Sequence, residues 1–272
     1  MPRPRPYAKI KENPRHMKII VAIKQVPARD SQLKIAASHR WIEEDDLTFE
    51  INEPDAYALE EALQLKEKHG GEVVALCAGP ERAGSTIREA LAKGADRAIH
   101  VVEENIAALD TLAVARLLAA AIQSEAPDLV LTGLQSDDLG SGQAGVVLAE
   151  LLGYAHSTII MQVEVNGATL RVKRELEDGW FQYIAMPLPA VLTIQSGLNK
   201  LRYATLMGIK KAKTKELKSL TPGDLAVAAS STVAMDKLYL PSRSKQTEMI
   251  AGTAREQAAK LVEKLKFEVR VI

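Results

Sequence analysis

Short apolar runs alternate with longer segments of mixed polarity in the first half of the chain. The run at residues 18–24 (KIIVAIK) is apolar and β-branched between its two lysines, which is typical of a strand buried on both faces of a parallel sheet. Similar runs predict further strands, and the segments between them begin and end as helices do. The predicted strands are residues 18–24, 72–77, 97–102 and 128–132, and the predicted helices are residues 52–71, 79–94, 110–124 and 140–152.

The pattern changes after Gly153, where strand-like runs follow one another with only short turns between them. Asn166 and Gly167 form a strong hairpin signal, because a type I′ turn needs a positive φ at both of its central positions. We therefore expect an antiparallel addition to the sheet. Its predicted strands are residues 157–165, 169–175, 180–185 and 190–194.

The remainder of the chain is more polar. Residues 197–218 carry repeated lysines and predict a loop. A tail follows Ser230, with an extended part at residues 237–241 and one amphipathic helix at residues 253–265.

These elements predict an α/β fold, with a mostly parallel sheet covered by helices on both faces, an antiparallel strand addition and an extended C-terminal arm. We expect a disordered tail at residues 1–16, an α/β nucleotide-binding domain at residues 17–230, and a C-terminal arm and helix at residues 231–272. Ligands of such sheets bind beyond the carboxyl ends of the strands. Residues 26–29, 78–80 and 133–145 are expected there.

Composition narrows the possible partners. The 35 basic and 35 acidic residues balance, so no overall field attracts nucleic acid or an acidic membrane surface. No apolar run is long enough for a membrane span, and direct membrane insertion is not expected. The single cysteine, Cys77, suits a reducing compartment, so we expect a cytoplasmic protein.

The most unusual segment is residues 133–145 (GLQSDDLGSGQAG), called here the glycine loop. It joins a predicted buried strand to a helix start, where free backbone N–H groups favour a phosphate. Gly140, Gly142 and Gly145 let the backbone approach a bound group closely. The pattern is neither a Walker A loop nor a GxGxxG fingerprint, so an empty turn of small residues remains an equal alternative.

No other segment predicts chemistry of its own. The histidines lack metal-ligand spacing, no nucleophile and base are paired, and neither a metal site nor a catalytic residue is expected. The polar turn at residues 52–55 is favoured locally as a plain helix cap.

Several ordered stretches resemble the beta (small) subunit of electron transfer flavoprotein. The resemblance runs from about Met17 to the C-terminus, and residues 199–213 are its most telling part. The matching stretches are KIIVAIKQV at 18–26, INEPDAYALEEALQLKEK at 51–68, GADRAIHV at 94–101, the loop from Gln135 to Gly145, VKRELEDG at 172–179, LPAVLTIQ at 188–195, NKLRYATLMGIKKAK at 199–213 and AGTAREQAAKL at 251–261.

The resemblance implies a heterodimer whose large (alpha) subunit supplies most of the contacts to one FAD. The small subunit typically buries one structural AMP. Carried over by motif, the implied AMP pocket consists of Ala22, Asn52, Glu53, Pro54, Asp55, Ala78, Gly133, Leu134, Gln135, Ser136, Asp137, Asp138, Gly140, Ser141, Gly142, Gln143 and Ala144.

It also implies a recognition loop, here residues 197–213, whose Leu206 docks on a partner. Arg202 and Tyr203 of the same motif are likewise expected to dock on the partner, as is Glu175, which matches a glutamate near the partner interface. The implied donor is an acyl-CoA dehydrogenase or another flavoprotein dehydrogenase, and the implied acceptor is a quinone oxidoreductase. The chain would then be an electron carrier subunit and not an enzyme.

Two other functions remain open. Bifurcating members of the family bind a second FAD in the small subunit, through a loop of the type D-G-D-T-A-Q. Residues 139–143 (LGSGQ) lack that pattern, which favours AMP. A nucleotide-binding stress or signalling module would instead act without a flavin partner.

Overall fold

The computed structural model describes residues 16–241 and 247–271. Most of the predicted disordered tail, residues 1–15, lies outside the described residues. The chain divides into two units, Met1–Lys237 and Leu238–Ile272.

Within the described part of the first unit, nine strands form one sheet in the order β11-β5-β4-β1-β6-β10-β7-β8-β9, and β2 and β3 form a small antiparallel pair. From β11 to β7 all neighbours pair in parallel, and β8 and β9 add on in antiparallel fashion. The strands are β1 (Met17–Ala22), β2 (Gln25–Pro27), β3 (Phe49–Ile51), β4 (Gly71–Gly79), β5 (Arg97–Val102), β6 (Leu129–Gly133), β7 (Ala155–Asn166), β8 (Thr169–Glu175), β9 (Phe181–Pro187), β10 (Ala190–Ile194) and β11 (Leu217–Leu220).

Helices cover both faces of this sheet, as predicted. Successive side chains of a strand point to opposite faces of the sheet. Strand β1 therefore contributes residues to the hydrophobic core on each face. Ile19 and Val21 pack with α1 and α2, while Ile20 packs with α3 and α4. The helices are α1 (Glu53–His69), α2 (Gly84–Lys93), α3 (Thr111–Glu125), α4 (Ala144–Leu152), α5 (Leu206–Ala212) and, in the second unit, α6 (Ala254–Lys264).

The antiparallel addition is smaller than predicted. Strand β10 inserts between β6 and β7 and pairs in parallel with both, so within the described part of the nine-stranded sheet only β8 and β9 add in antiparallel fashion. The hairpin is present, but Asn166 pairs with Thr169, and the two loop residues are therefore Gly167 and Ala168. Gly167 has a φ of 61° and Ala168 is not among the positive-φ residues, so the predicted type I′ turn centred on Asn166 and Gly167 was wrong.

The segment predicted as a loop at residues 197–218 instead contains α5 and the edge strand β11. Helix α5 begins after Thr205, whose hydroxyl accepts the backbone N–H of Gly208 at 3.0 Å. A Cβ at Gly208 would lie within 2.5 Å of the Ala92 carbonyl oxygen, so only glycine lets α5 approach α2 so closely. The lysine-rich sequence did not predict this short helix. Helix α5 is stabilised by tertiary packing rather than by an apolar face that the sequence pattern would show.

The second unit contains the predicted amphipathic helix. Thr253 caps α6 in a capping box with Glu256, whose side chain returns to the Thr253 backbone. No residue of α6 is buried. Among the described residues, no helix is both long and apolar enough to cross a membrane.

We expect Gly145→Ala to lower the free energy of unfolding by about 1–3 kcal/mol, because the added methyl group overpacks the core under α4. Its Cβ would lie 2.5 Å from Thr193 Cγ2 and 2.8 Å from Thr132 Oγ1. Gly84, in the first turn of α2, is a matched control, since a Cβ there meets no atom within 4 Å. Gly84→Ala should be neutral or stabilising by up to about 1 kcal/mol. Urea unfolding measures both, and equal stabilities would contradict the packing argument.

Candidate functional site

A cleft opens where the carboxyl ends of β1, β4 and β6 meet. It encloses about 1330 Å³, part of which is open to solvent. Chain segments far apart in the sequence converge on it, as the strand-end argument predicts. Of the residues predicted for the AMP pocket, those lining the cleft are Ala22, Asn52, Asp55, Ala78, Gly133, Leu134, Gln135, Ser136, Asp138, Ser141, Gly142, Gln143 and Ala144.

The other four predicted residues lie in the adjoining turns. The backbone N–H of Glu53 donates to Asp137 Oδ2 at 3.3 Å, and Glu53 also pairs with Arg29. Pro54 packs behind Gly133, and Gly140 donates its N–H to the Ser136 carbonyl oxygen. These contacts shape the glycine loop from outside the cleft wall.

The glycine loop stays irregular for longer than predicted. Helix α4 begins at Ala144, not at Gly140, because Gly140 and Gly142 both have a φ of 62°, which is outside the right-handed helical region. Gln143 precedes the helix and makes no side-chain cap. The Gln143 side chain therefore does not cap the first N–H groups of α4, which lie at the cleft. Backbone N–H groups at the start of a helix favour a bound anion.

A buried carboxylate, that of Asp55, forms the floor of the cleft. Its Oδ2 atom accepts the backbone N–H of Lys24, and its Oδ1 atom accepts that of Gly133, both at 2.8 Å. Burial raises the pKa of Asp55 to about 7, against the opposing effect of these hydrogen bonds. Because a Cβ at Gly133 would lie 2.5 Å from Asp55 Oδ1, the contact requires glycine there. Asp55 thereby joins the N-terminus of α1 to the ends of β1 and β6.

Asn52 performs a similar task for the glycine loop. Its side chain is 1% exposed. The Nδ2 atom donates to the Gln135 carbonyl oxygen, and the Oδ1 atom accepts the backbone N–H of Asp137, both at 2.9 Å. Asn52 makes no side-chain helix cap, so the local interpretation as a plain cap was wrong. A buried amide whose polar atoms are satisfied in this way fixes the loop conformation.

Ion pairs brace the rim of the cleft. Lys24 Nζ lies 2.7 Å from the Asp138 carboxylate. Burial by itself would raise the pKa of Asp138, but the attraction of Lys24 and hydrogen bonds outweigh it, and the pKa lies below its ordinary value. The positive charge of Lys24 is thus already engaged by the protein.

Trp41, Glu44, Phe49 and Arg82 line the cleft as well, and they were not predicted from the sequence. Trp41 Nε1 donates to Glu44 at 2.7 Å, Arg82 pairs with Glu44 at 2.8 Å, and the Arg82 guanidinium lies 4.3 Å from the centre of the Phe49 ring. Leucine and isoleucine side chains beyond the end of β5 form an apolar wall of the cleft. The sequence could have indicated this part of the cleft, because β5 ends at the same sheet edge as β1, β4 and β6. The residues that follow β5 are therefore expected near the ends of those strands. Those apolar side chains are Ile106, Leu109 and Leu118.

The cleft has the start of α4 on one part of its lining and an apolar wall on another, which suits a phosphorylated group bearing a planar ring. Among the described residues, no three histidines, cysteines or carboxylates come together as a metal site. Burial raises the pKa of the Cys77 thiol to about 12, which keeps it protonated and unreactive.

The predicted docking residues differ in exposure. Tyr203 is 92% exposed and Leu206 is 81% exposed, so Leu206 does not fold back onto the core. Arg202, in contrast, pairs with Glu60 and Glu67 of α1. Glu175 accepts a hydrogen bond from Gln195 Nε2 at 3.1 Å.

Residues 40–225 match the model of the electron transfer flavoprotein domain. The chain is 37% identical to the electron transfer flavoprotein subunit beta of Methylophilus methylotrophus over 257 residues, which cover 91% of this chain and 97% of that protein. It is 38% identical to the subunit beta of Homo sapiens over 253 residues, covering 92% and 97% respectively. The corresponding protein of Bacillus subtilis is 37% identical over 247 residues, covering 89% and 96%.

We expect the stability advantage of the native protein over Asp55→Asn to shrink as pH rises from about 4 to about 7, and to be constant above. The Asp55 carboxyl group has an ordinary pKa of 3.8 and a folded-state pKa of about 7, so the folded state binds more protons in this window. Stability from such a group is present at low pH and is lost as pH rises through the folded-state pKa. Urea unfolding of both proteins between pH 5 and 8 measures this, and a pH-independent difference would contradict it.

Proposed function

This chain belongs to the electron transfer flavoprotein family, among its beta subunits, and on that premise we propose that it is the small subunit of a heterodimeric electron carrier. The observation that carries the proposal is the placement of the family-matched segments. One set surrounds a single cleft, and another presents Leu206 to solvent. Family membership argues against a signalling module that acts without a flavin partner.

The proposed ligand of the cleft is a structural AMP. Gly142, Gln143 and Ala144 would hold the phosphate with backbone N–H groups at the start of α4, and Ser141 adds a hydroxyl donor at the cleft. The apolar wall beyond β5 suits the adenine ring. AMP bound only by the folded state would stabilise this subunit by mass action.

The large subunit would supply most contacts to one FAD. That flavin, when bound, carries the electrons, and this chain contributes no catalytic residue to their transfer. An exposed leucine next to an exposed tyrosine suits insertion into a partner's pocket, and we assign Leu206 and Tyr203 to docking of an acyl-CoA or other flavoprotein dehydrogenase. A quinone oxidoreductase is the proposed acceptor.

The C-terminal arm at residues 231–272 is proposed to pack on the large subunit. Leu261, Val262 and Phe267 are exposed, and α6 buries no residue. An amphipathic helix with an uncovered apolar side is typical of an interface. A cytoplasmic location is also proposed, because the only cysteine is a buried free thiol.

Nucleotide analysis separates AMP from the bifurcating alternative. We expect the purified heterodimer to release one FAD and one AMP on denaturation, because residues 139–143 (LGSGQ) lack the D-G-D-T-A-Q pattern of subunits that bind a second flavin. Chromatography of the extract with flavin absorbance measures the ratio. Two flavins per heterodimer without AMP would refute the assignment.

Docking is tested by Leu206→Ala in the heterodimer. We expect the KM of an acyl-CoA dehydrogenase for the variant to rise about five- to thirtyfold, because truncating a central apolar anchor costs about 1–2 kcal/mol of binding. The FAD content should not change. Leu151→Ala is the control, since Leu151 is a leucine 36% exposed on α4 rather than in the recognition loop. Unaltered kinetics of Leu206→Ala would remove Leu206 from the docking surface.

A further inference from the structure

The Arg202 side chain is 31% exposed and is bound by two carboxylates of α1. Its Nε and Nη2 atoms donate to the two carboxylate oxygens of Glu60, at 2.7 and 3.0 Å, and its Nη1 atom donates to Glu67 at 2.7 Å. The backbone N–H of Arg202 also reaches Glu60 Oε2 at 3.3 Å. Two parallel hydrogen bonds between a guanidinium and a carboxylate fix orientation as well as distance. The recognition loop is thereby fixed to α1 at this point.

Glu60 is suited to this task because its side chain is buried and hydrogen-bonded within α1. Its side chain is 5% exposed, and Gln64 donates to its Oε1 atom at 2.8 Å from the next turn of α1. Burial by itself would raise the pKa of Glu60, but the hydrogen bonds and charge of Arg202 outweigh it, and the pKa lies below its ordinary value. A buried carboxylate that loses its cation becomes an uncompensated charge. Displacing Arg202 from Glu60 is therefore energetically costly, and this cost holds the recognition loop in place.

Further contacts hold the loop on either side of Arg202. Asn199 Nδ2 donates to the Tyr57 carbonyl oxygen and to Glu61 Oε2, both at 3.2 Å. On the other side, the close packing of Gly208 against Ala92 seats α5 on α2. Arg88 Nη1 donates to the Ala212 carbonyl oxygen at 2.7 Å at the end of α5.

The exposed side chains lie between these fixed points. Tyr203 follows Arg202 directly, and Leu206 is the first residue of α5. With both ends of the segment held, these two side chains have little freedom to turn inward. A surface that is ordered before binding loses less conformational entropy when a partner docks.

We propose that Glu60 is the positioning residue of the recognition loop, and that Arg202 is an internal clamp on it rather than a contact to the partner. This rests on the proposed docking function of Leu206. The clamp presents Tyr203 and Leu206 in one orientation, so the affinity for the dehydrogenase depends on a residue of α1 that the partner does not touch.

The test uses the FAD-loaded heterodimer with Glu60→Gln, Arg202→Gln and the double variant. Two readouts are measured. One is hydrogen–deuterium exchange of residues 199–206 in the free heterodimer, which needs no electron donor. The other is KM and kcat of an acyl-CoA dehydrogenase, reduced by its acyl-CoA substrate, with the heterodimer as acceptor. Lys200→Gln is the control, because it removes one positive charge from an exposed side chain of the same loop.

For a clamp, both single variants should accelerate exchange of the loop and raise KM by a similar factor, about three- to tenfold, with kcat unchanged. The double variant should show no faster exchange and no higher KM than either single variant, because the two substitutions remove the same interaction. Arg202→Lys should resemble Arg202→Gln, since a lysine cannot form the two-pronged contact. Lys200→Gln should leave loop exchange unchanged.

Two outcomes would overturn the clamp, and a third would separate it from the docking role of Leu206. If Arg202→Gln raises KM while Glu60→Gln leaves both exchange and KM unchanged, Arg202 contacts the partner directly. If Arg202→Lys behaves as the native protein, the charge of Arg202 matters and its geometry does not. If Leu206→Ala is silent but exchange accelerates in both clamp variants, the clamp stands and the docking role of Leu206 fails.

Discussion

The hydrogen bonds of one buried carboxylate hold this architecture together at its functional edge. Asp55 lies in the first turn of α1, yet both its oxygens are bound by backbone N–H groups of other elements, one after β1 and one at the end of β6. Gly133 is required for this contact, because any side chain there would occupy the space of the carboxylate. The N-terminus of α1 is thereby seated against two central strands.

Seating α1 in this way determines what its neighbours can do. Asn52, one residue before the helix, comes within hydrogen-bonding distance of the glycine loop and fixes Gln135 and Asp137. The loop can then remain irregular up to Ala144 without losing a defined conformation. The proposed phosphate site would depend on such support, because backbone N–H groups can change direction only if the loop itself moves. The preorganisation of the cleft thus derives from side chains that lie beneath it.

The sequence predicted those features that repeat locally. Strand β5 matches the predicted residues 97–102, and the cleft lies at the predicted sheet edge. What it could not predict depends on contacts between distant residues. The parallel insertion of β10, the helix α5 and the role of Asn52 each require a partner that lies far away in the sequence, such as Gln135 for Asn52. Local propensity contains no term for such a partner.

Helix α1 supports both the cleft and the recognition loop. We propose no catalytic chemistry for the chain that contains them. Asn52 precedes α1 and Glu60 lies in it, about 12 Å farther along at 1.5 Å per residue. The first supports the cleft, and the second holds Arg202 and the recognition loop. A carrier subunit contributes to electron transfer by how well it orders what binds to it. Polar residues in and just before α1 are costly to bury, and they remain favourable because each one orders a loop that would otherwise lose conformational freedom on binding.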